Sequence, residues 1–252
     1  MSAILAITLG NSTAAAVLAT DSVLGPVRRV PVNQLQDLRD VLARIHRHGG
    51  DPIPVGVASV NPPALEQLLG LLADMGLPPA AVARKDFPVP LRTEVEAPER
   101  VGVDRLLGAL AAHRRVGGAC VAVDFGTAIT VNSIRADGAF LGGAILPGLG
   151  MAARALSEGT ALLPEIPPPA GAPAVGRSTQ EAIAAGVIHG AAGAVANLIS
   201  GARQVVGAEA RVILTGGDSA RLAEHLPPDC REMVPDLVLE GLVIAYREWQ
   251  KQ

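Results

Sequence analysis

Residues 122–133 read AVDFGTAITVNS, and residues 6–17 read AITLGNSTAAAV. Laid over one another at an offset of 116, without a gap, they put Gly10 on Gly126, Asn11 on Thr127 and Thr8 on Asp124. Each stretch is an apolar run, a glycine turn and a second apolar run, which predicts strand, tight turn, strand. Duplication of such a unit inside one chain is a fold-level signal. It divides the chain into two α/β halves, 1–117 and 118–252, and predicts a ligand cleft where two similar halves face one another.

Working outward, the first half reads as strands at 3–9, 14–19 and near 26–31, with a turn around Asp21-Ser22. Leu35, Leu38, Val41, Leu42 and Ile45 recur at helical spacing and predict a helix over 33–48 capped by Asn33. A strand at 54–59, a helix over 62–75 and a strand near 80–83 follow. Residues 86–99, with three prolines, read as loop, and 101–116 as helix. The second half repeats the order. Strands fall at 119–124, 128–135 and 139–146, the last two joined by an Asp137-Gly138 turn. Pro147-Gly148 breaks the run before a helix over 149–158. A Pro-rich loop at 164–173 leads to a long small-residue helix over 178–205. A strand at 211–215 and helices at 218–225 and 236–249 complete the chain.

Composition narrows the function. Lys+Arg number 21 against 24 Asp+Glu, a formal charge of −3 with no basic block. Phosphate neutralisation needs clustered cations, so nucleic acid is excluded as the main partner. Three Phe, one Tyr and one Trp leave no stacking platform for single strands either. Cys120 and Cys230 read as buried apolar residues in a reducing compartment. The opening MSAILAITLGNSTAAAVLA has no Lys or Arg before Arg28, so it reads as strand and turn, not as a signal peptide. His189 and Asn197 interrupt the Ala/Gly-rich stretch from Glu181 to Ser200, and no membrane span is expected. The chain therefore reads as soluble and cytoplasmic.

Several motifs could carry chemistry. In Val123-Asp124-Phe125-Gly126-Thr127 the carboxylate can hold a hydrated cation, Gly126 lets backbone approach a phosphate, and Thr127 offers a hydroxyl. The same five residues also describe a β-turn with a capping Asp. The duplicate turn at Gly10-Asn11-Ser12-Thr13 favours the first reading, since two hairpins can grip one polyphosphate. Gly102-Val103-Asp104-Arg105 opens a helix. Asp104 there either complements the helix dipole or acts as a general base, with Arg105 as an anion clamp. Leu214-Thr215-Gly216-Gly217 is either a plain strand–helix connection or a surface for a flat ring such as adenine. Ser178 or Thr179 caps the long helix, supported by Glu181. No metal cluster stands out. His46 and His48 point in different directions, and His113, His189 and His225 are isolated. Gly186, Gly190 and Gly193 imply close packing against a helix of this chain or of a second subunit. Absence of GxxxxGK[ST] excludes a P-loop kinase.

Taken together, these segments resemble the type III pantothenate kinases of the actin, sugar-kinase and heat-shock-ATPase superfamily. The resemblance rests on GNST after the first strand, GVASVNPP (56–63), VGVDR (101–105), VDFGTAIT (123–130), GGAILPGL (142–149), GTALLPEI (159–166), VGRSTQEAI (175–183), LTGGDS (214–219) and PDLVLEGL (235–242). It implies two duplicated ribonuclease-H-like domains with mixed sheets flanked by helices. It also implies a homodimer with sites at the interface and ATP-dependent phosphorylation of pantothenate to 4′-phosphopantothenate, the first step of coenzyme A synthesis. By this resemblance Asp104 is the base, and Gly102, Val103, Asp104, Arg105 and Thr179 bind pantothenate. Thr8, Leu9, Gly10, Asn11, Ser12, Thr13, Ala14, Ala15 and Thr127, with Gly216 and Gly217, bind ATP. Asp124 binds the monovalent cation, potassium or ammonium, near magnesium-ATP. Two positions depart from the family pattern: Thr8 stands where the family has Asp, and Val95 where a tyrosine often stands. The Thr8 departure keeps a second class in view, an impaired homologue that binds nucleotide or pantothenate as a regulatory or accessory protein.

Overall fold

In the computed structural model, which describes residues 3–21, 23–46 and 53–252, the repeated hairpin sits at the middle of each of two sheets. β1 (Ala3–Leu9) pairs antiparallel with β2 (Thr13–Thr20), whose other edge takes β3 (Val23–Leu24) and β4 (Arg28–Pro31) in turn. After α1 (Arg39–His46), β5 (Val55–Ser59) adds parallel to β1. After α2 (Pro62–Asp74), β6 (Ala80–Val82) adds parallel to β5. Parallel pairing needs such helical crossovers, whereas the antiparallel pair closes with a short turn. α3 (Val103–Val116) then leads to the second sheet.

There β7 (Cys120–Phe125), β8 (Ala128–Ile134) and β9 (Phe140–Pro147) form an antiparallel meander. α4 (Leu149–Glu158) and α5 (Thr179–Val206) precede β10 (Arg211–Thr215), which runs parallel to β7. α6 (Ser219–Ala223) leads to β11 (Glu232–Met233), parallel to β10, and α7 (Leu237–Trp249) ends the chain. With β3 and β4 counted as one broken strand, both sheets have the order third, second, first, fourth, fifth. This mixed α/β architecture is the duplication read from the sequence. The ungapped overlay, however, slips by one residue past the turn. Leu9 pairs with Ala14 but Phe125 with Ile129, so the second turn is one residue shorter.

Strand alternation sets the faces. Along β1, Leu5, Ile7 and Leu9 join one core with Leu68, Leu71 and Leu72 of α2, while Ile4 and Ala6 join another with Val103, Leu107 and Leu110 of α3. Along β7, Val121, Val123 and Phe125 pack with Ile183, Val187 and Val195 of α5. The chain clusters into two units, Met1–Leu91 with Ala97–Ala111 and Asp236–Gln252, and Arg92–Glu96 with Ala112–Pro235. Helix α7 thus packs with the first half, not the second half it follows. Its stripe Leu239, Leu242, Val243 and Tyr246 completes the core that α3 opens over Ile4 and Ala6.

Some local readings need correction. Residues 32–38 are 3-10 helix, Gln34 leaves helical geometry at φ −125°, and α1 starts only at Arg39. The N-cap is Pro31, without a side-chain hydrogen bond, so Asn33 caps nothing; residues 47 and 48 lie outside the described residues. The turn at 21–22 is described only at Asp21, whose φ is +48°. His189 and His225 are not isolated, since their rings meet edge to face with centroids 5.0 Å apart. Residues 181–200 are part of an unbroken 28-residue helix that is long and apolar enough to cross a membrane. His189 and Asn197 do not interrupt it, because on a helix a polar side chain need only leave the apolar stripe. Ile183, Val187, Val195 and Ile199 form that stripe and make α5 the core helix of the second unit.

One close approach fixes α7 against α3. A Cβ on Gly241 would lie 2.6 Å from the Leu107 carbonyl carbon and closer still to its oxygen. Replacing glycine by alanine inside a helix normally stabilises by roughly 0.5–1 kcal/mol. Here the clash reverses the sign. Gly241→Ala is expected to lower the urea unfolding midpoint, whereas an unchanged or raised midpoint would show that the two helices are not in backbone contact.

Candidate active site

In the first unit, Thr8 is the last residue of β1 on the α3 side. Its register partners, Ala15 and Ala58, belong to that same core face. Small neighbours leave the half-buried Thr8 hydroxyl unobstructed by bulk. The turn that follows is closed by Gly10 N–H donating to Thr13 O at 2.9 Å, and Val32 N–H donates to Ser12 O at 2.9 Å. Asn11, Ser12 and Thr13 are exposed at its tip. Leu9, Ala14 and Ala15 are buried, with side chains committed to the cores. Only their backbone could meet a ligand.

Asp104 lies in the first turn of α3, with Val103 buried beneath it beside Leu107. Its Oδ1 accepts the Arg105 N–H at 2.8 Å. The carboxylate folds back over residue 102, where a Cβ would come within 2.5 Å of Oδ1 and 3.7 Å of Val60 Cγ1. Glycine at 102 therefore makes room for the acid. Burial pushes the Asp104 carboxyl above the usual carboxylate range, against the pull of the Arg105 N–H and guanidinium. Burial likewise lowers the Arg105 guanidinium, against the attraction of Asp104. A half-buried carboxylate with a raised pKa suits proton abstraction.

In the second unit, Asp124 occupies the position on β7 that Thr8 occupies on β1. It stands on the face opposite the α5 core, flanked in register by Thr130 and Thr215. Gly216, at φ +95°, brings its backbone to this carboxylate. A Cβ there would fall 2.6 Å from both N and C of Phe125 and closer to Asp124 Oδ1. The turn after β10 is tied to the end of β7 by Asp218 N–H donating to Phe125 O at 3.1 Å. From the other side, Gly148 N–H donates to Thr127 O at 3.1 Å, and a Cβ at 148 would lie 2.5 Å from that oxygen. The Gly126–Thr127 turn is thus held by backbone on two sides, and Gly217 faces open space. The donors around Asp124 are all oxygens, the set that hard cations prefer. Among the described residues no group of three or more His, Cys, Asp or Glu gathers to hold a metal. A cation at Asp124 would draw its remaining ligands from phosphate and water.

Thr179 is the first residue of α5 and is exposed; the cap is Ser178, whose hydroxyl accepts the Glu181 N–H at 3.2 Å. Glu181 in turn accepts the Arg177 N–H at 2.7 Å. Gly148, which braces the Thr127 turn, reads from local pattern as the end of a strand before a helix. Its pairing across β9 to the first turn of the sheet has no local signature. Both cysteines are free and buried, and burial pushes the Cys120 thiol up to about 12.

Solved structures with this arrangement include a Baf family protein of Campylobacter jejuni, with TM-score 0.64, 21% identity, and coverage of 99% of this chain and 100% of that one. Component A of the (R)-2-hydroxyglutaryl-CoA dehydratase of Acidaminococcus fermentans aligns with TM-score 0.56 at 13% identity, over 99% and 100% of the chains. At such identity they share the fold. Among curated relatives, a type III pantothenate kinase of Rhodopirellula baltica is 37% identical over 84% of this chain and 80% of its own length. One of Nitratidesulfovibrio vulgaris is 36% identical over 97% of both. A family model described as type III pantothenate kinase matches residues 4–201, which span the Thr8 strand, the Asp104 helix, the Asp124 turn and most of α5. The chain belongs to the type III pantothenate kinase family.

Proposed function

We propose that this protein transfers the γ-phosphoryl group of ATP to the primary hydroxyl of pantothenate, yielding 4′-phosphopantothenate and ADP at the entry to coenzyme A synthesis. The observation that carries the reading is the half-buried Asp104 carboxylate, pushed above the usual carboxylate range and folded over Gly102 at the start of α3. Asp104 takes the hydroxyl proton as the oxygen attacks the γ-phosphorus and the bond to the β-phosphate's bridging oxygen breaks. Arg105 grips the pantothenate carboxylate in bidentate fashion, with Gly102 and Val103 lining the same end of α3 and Thr179 contributing a hydroxyl. The Thr8–Ala15 turn and Thr127 position the phosphates, and the open backbone at Gly216 and Gly217 receives the adenine. Most of the rate comes from positioning and from neutralising charge on the migrating group.

Asp124 holds the monovalent cation, potassium or ammonium, beside magnesium-ATP. Magnesium, when bound, neutralises charge on the triphosphate; Thr8 offers it a neutral hydroxyl where a carboxylate would be a stronger ligand. The active form in this reading is a cytoplasmic homodimer with sites at its interface. Exposed Ile145, Met151, Leu156 and Leu162 support it, as do Gly186, Gly190 and Gly193 of α5, beside which a Cβ would meet open space. The accessory-protein reading gains nothing from the relatives, which carry the kinase description.

Four outcomes test this. In an ADP-release assay with pantothenate, magnesium-ATP and potassium, Asp104→Asn is expected to lose about 10²–10⁴ in kcat while ATP still binds; retained turnover would name a different base. Because Asp104 takes up its proton more readily folded than unfolded, its ionisation costs stability as pH rises through that raised value. Asp104→Asn is therefore also expected to melt higher than wild type at neutral pH. The same raised pKa places the acid limb of kcat/KM above the ordinary carboxylate value, with activity lost as pH falls. Thr8→Asp, which restores an anionic ligand, is expected to raise kcat/KM by about tenfold or more. Wild type and Thr8→Asp both without turnover would end the kinase reading.

A further inference from the structure

Arg84 is a non-glycine residue in the left-handed region, at φ +68°. Strain of this kind persists only where the surroundings over-determine the backbone. They do so here. Arg84 N–H donates to Phe87 O at 2.7 Å, while the N–H groups of Lys85 and Asp86 donate to Val82 O at 3.1 and 2.8 Å. The Asp86 carboxylate closes the loop by accepting the Val82 N–H at 2.7 Å. The loop's far end is pinned by buried Phe87, which stacks on Trp249 with centroids 5.3 Å apart and meets Tyr246 edge-on at 5.5 Å. Three of the chain's five aromatics thus serve as the base of this one loop.

From that base the Arg84 guanidinium reaches the strand of backbone just ahead of the base residue. Nη2 donates to Pro98 O at 2.9 Å, and Nη1 donates to Val101 O. Val101 precedes Gly102, over which the Asp104 carboxylate folds and whose carbonyl accepts the N–H groups of Arg105 and Leu106 at 3.1 and 3.3 Å. A planar fork that holds two carbonyls three residues apart fixes both position and orientation of the segment between them, which a single ammonium could not do. Glycine would satisfy the backbone at 84 without strain, so the side chain is what the position uses.

We infer that Arg84 is a positioning residue for phosphoryl transfer: by clamping the carbonyls of Pro98 and Val101 it holds the 98–102 turn that aims the Asp104 carboxylate. It touches no reacting atom and acts through Asp104, so the inference rests on the proposed role of that residue. The test is Arg84→Gly, which removes the guanidinium and relieves the left-handed backbone together, so the melting temperature should be kept. Kcat is expected to fall about 10- to 100-fold with KM for ATP changed less than about twofold, because a displaced base slows transfer without loosening the nucleotide. Added guanidinium ion should restore part of kcat in Arg84→Gly and none in Asp104→Asn. Unchanged kcat in Arg84→Gly beside a dead Asp104→Asn overturns the Arg84 inference alone. Loss of kcat together with a lowered melting temperature and no guanidinium rescue also overturns it, assigning the residue to folding. Turnover surviving in Asp104→Asn overturns instead the base assignment on which it rests.

Discussion

A carboxylate partly withdrawn from water is costly, and the start of α3 holds one there. Asp104 stands at the end of a helix whose next apolar residues, Leu107 and Leu110, anchor it in a core shared with β1 and α7. The acid itself folds over a position without a side chain and receives a backbone N–H from its neighbour. Burial pushes the group toward holding its proton, and the Arg105 N–H and guanidinium oppose it. In the proposed reaction this carboxylate is the base. Its misplacement by even one ångström would matter more than the loss of any single surface contact.

Duplication explains where Thr8 and Asp124 sit. Both sheets run in the same strand order, and in both the residue before the hairpin turn stands on the face away from the outer helix core. At that place the first sheet carries Thr8 and the second Asp124. The second turn is one residue shorter and is gripped from both sides, by Gly148 and by the turn that begins at Gly216. The first turn, beyond its own closure, is joined by Val32 through Ser12.

Much of this was legible before the fold. The strand–glycine–strand repeat marked both sheets, because a buried strand and its turn are local patterns. VGVDR and VDFGT stood out for the same reason. What escaped depends on partners far along the chain. Helix α7 looks like the end of the second half, yet its stripe matches the face that β1 and α3 leave open. Gly148 and Arg84 act on carbonyls 21 and 14–17 residues away, and no periodicity records such pairings. The helical spacing of Leu35, Leu38 and Leu42 does mark a buried side, but Pro31 and the non-helical Gln34 delay the α-helix until Arg39. Hydrophobic spacing reports which side is buried, not how the backbone gets there.

The base assignment turns on whether burial raises the Asp104 carboxyl in solution. A carbon-13 carboxylate titration of the aspartates, with Asp104 assigned by its absence from the spectrum of the asparagine variant, measures this without reference to turnover. A midpoint for Asp104 clearly above those of the exposed aspartates is the predicted result. A midpoint at or below theirs would mean that water reaches the carboxylate, and the base at the start of α3 would have no physical foundation.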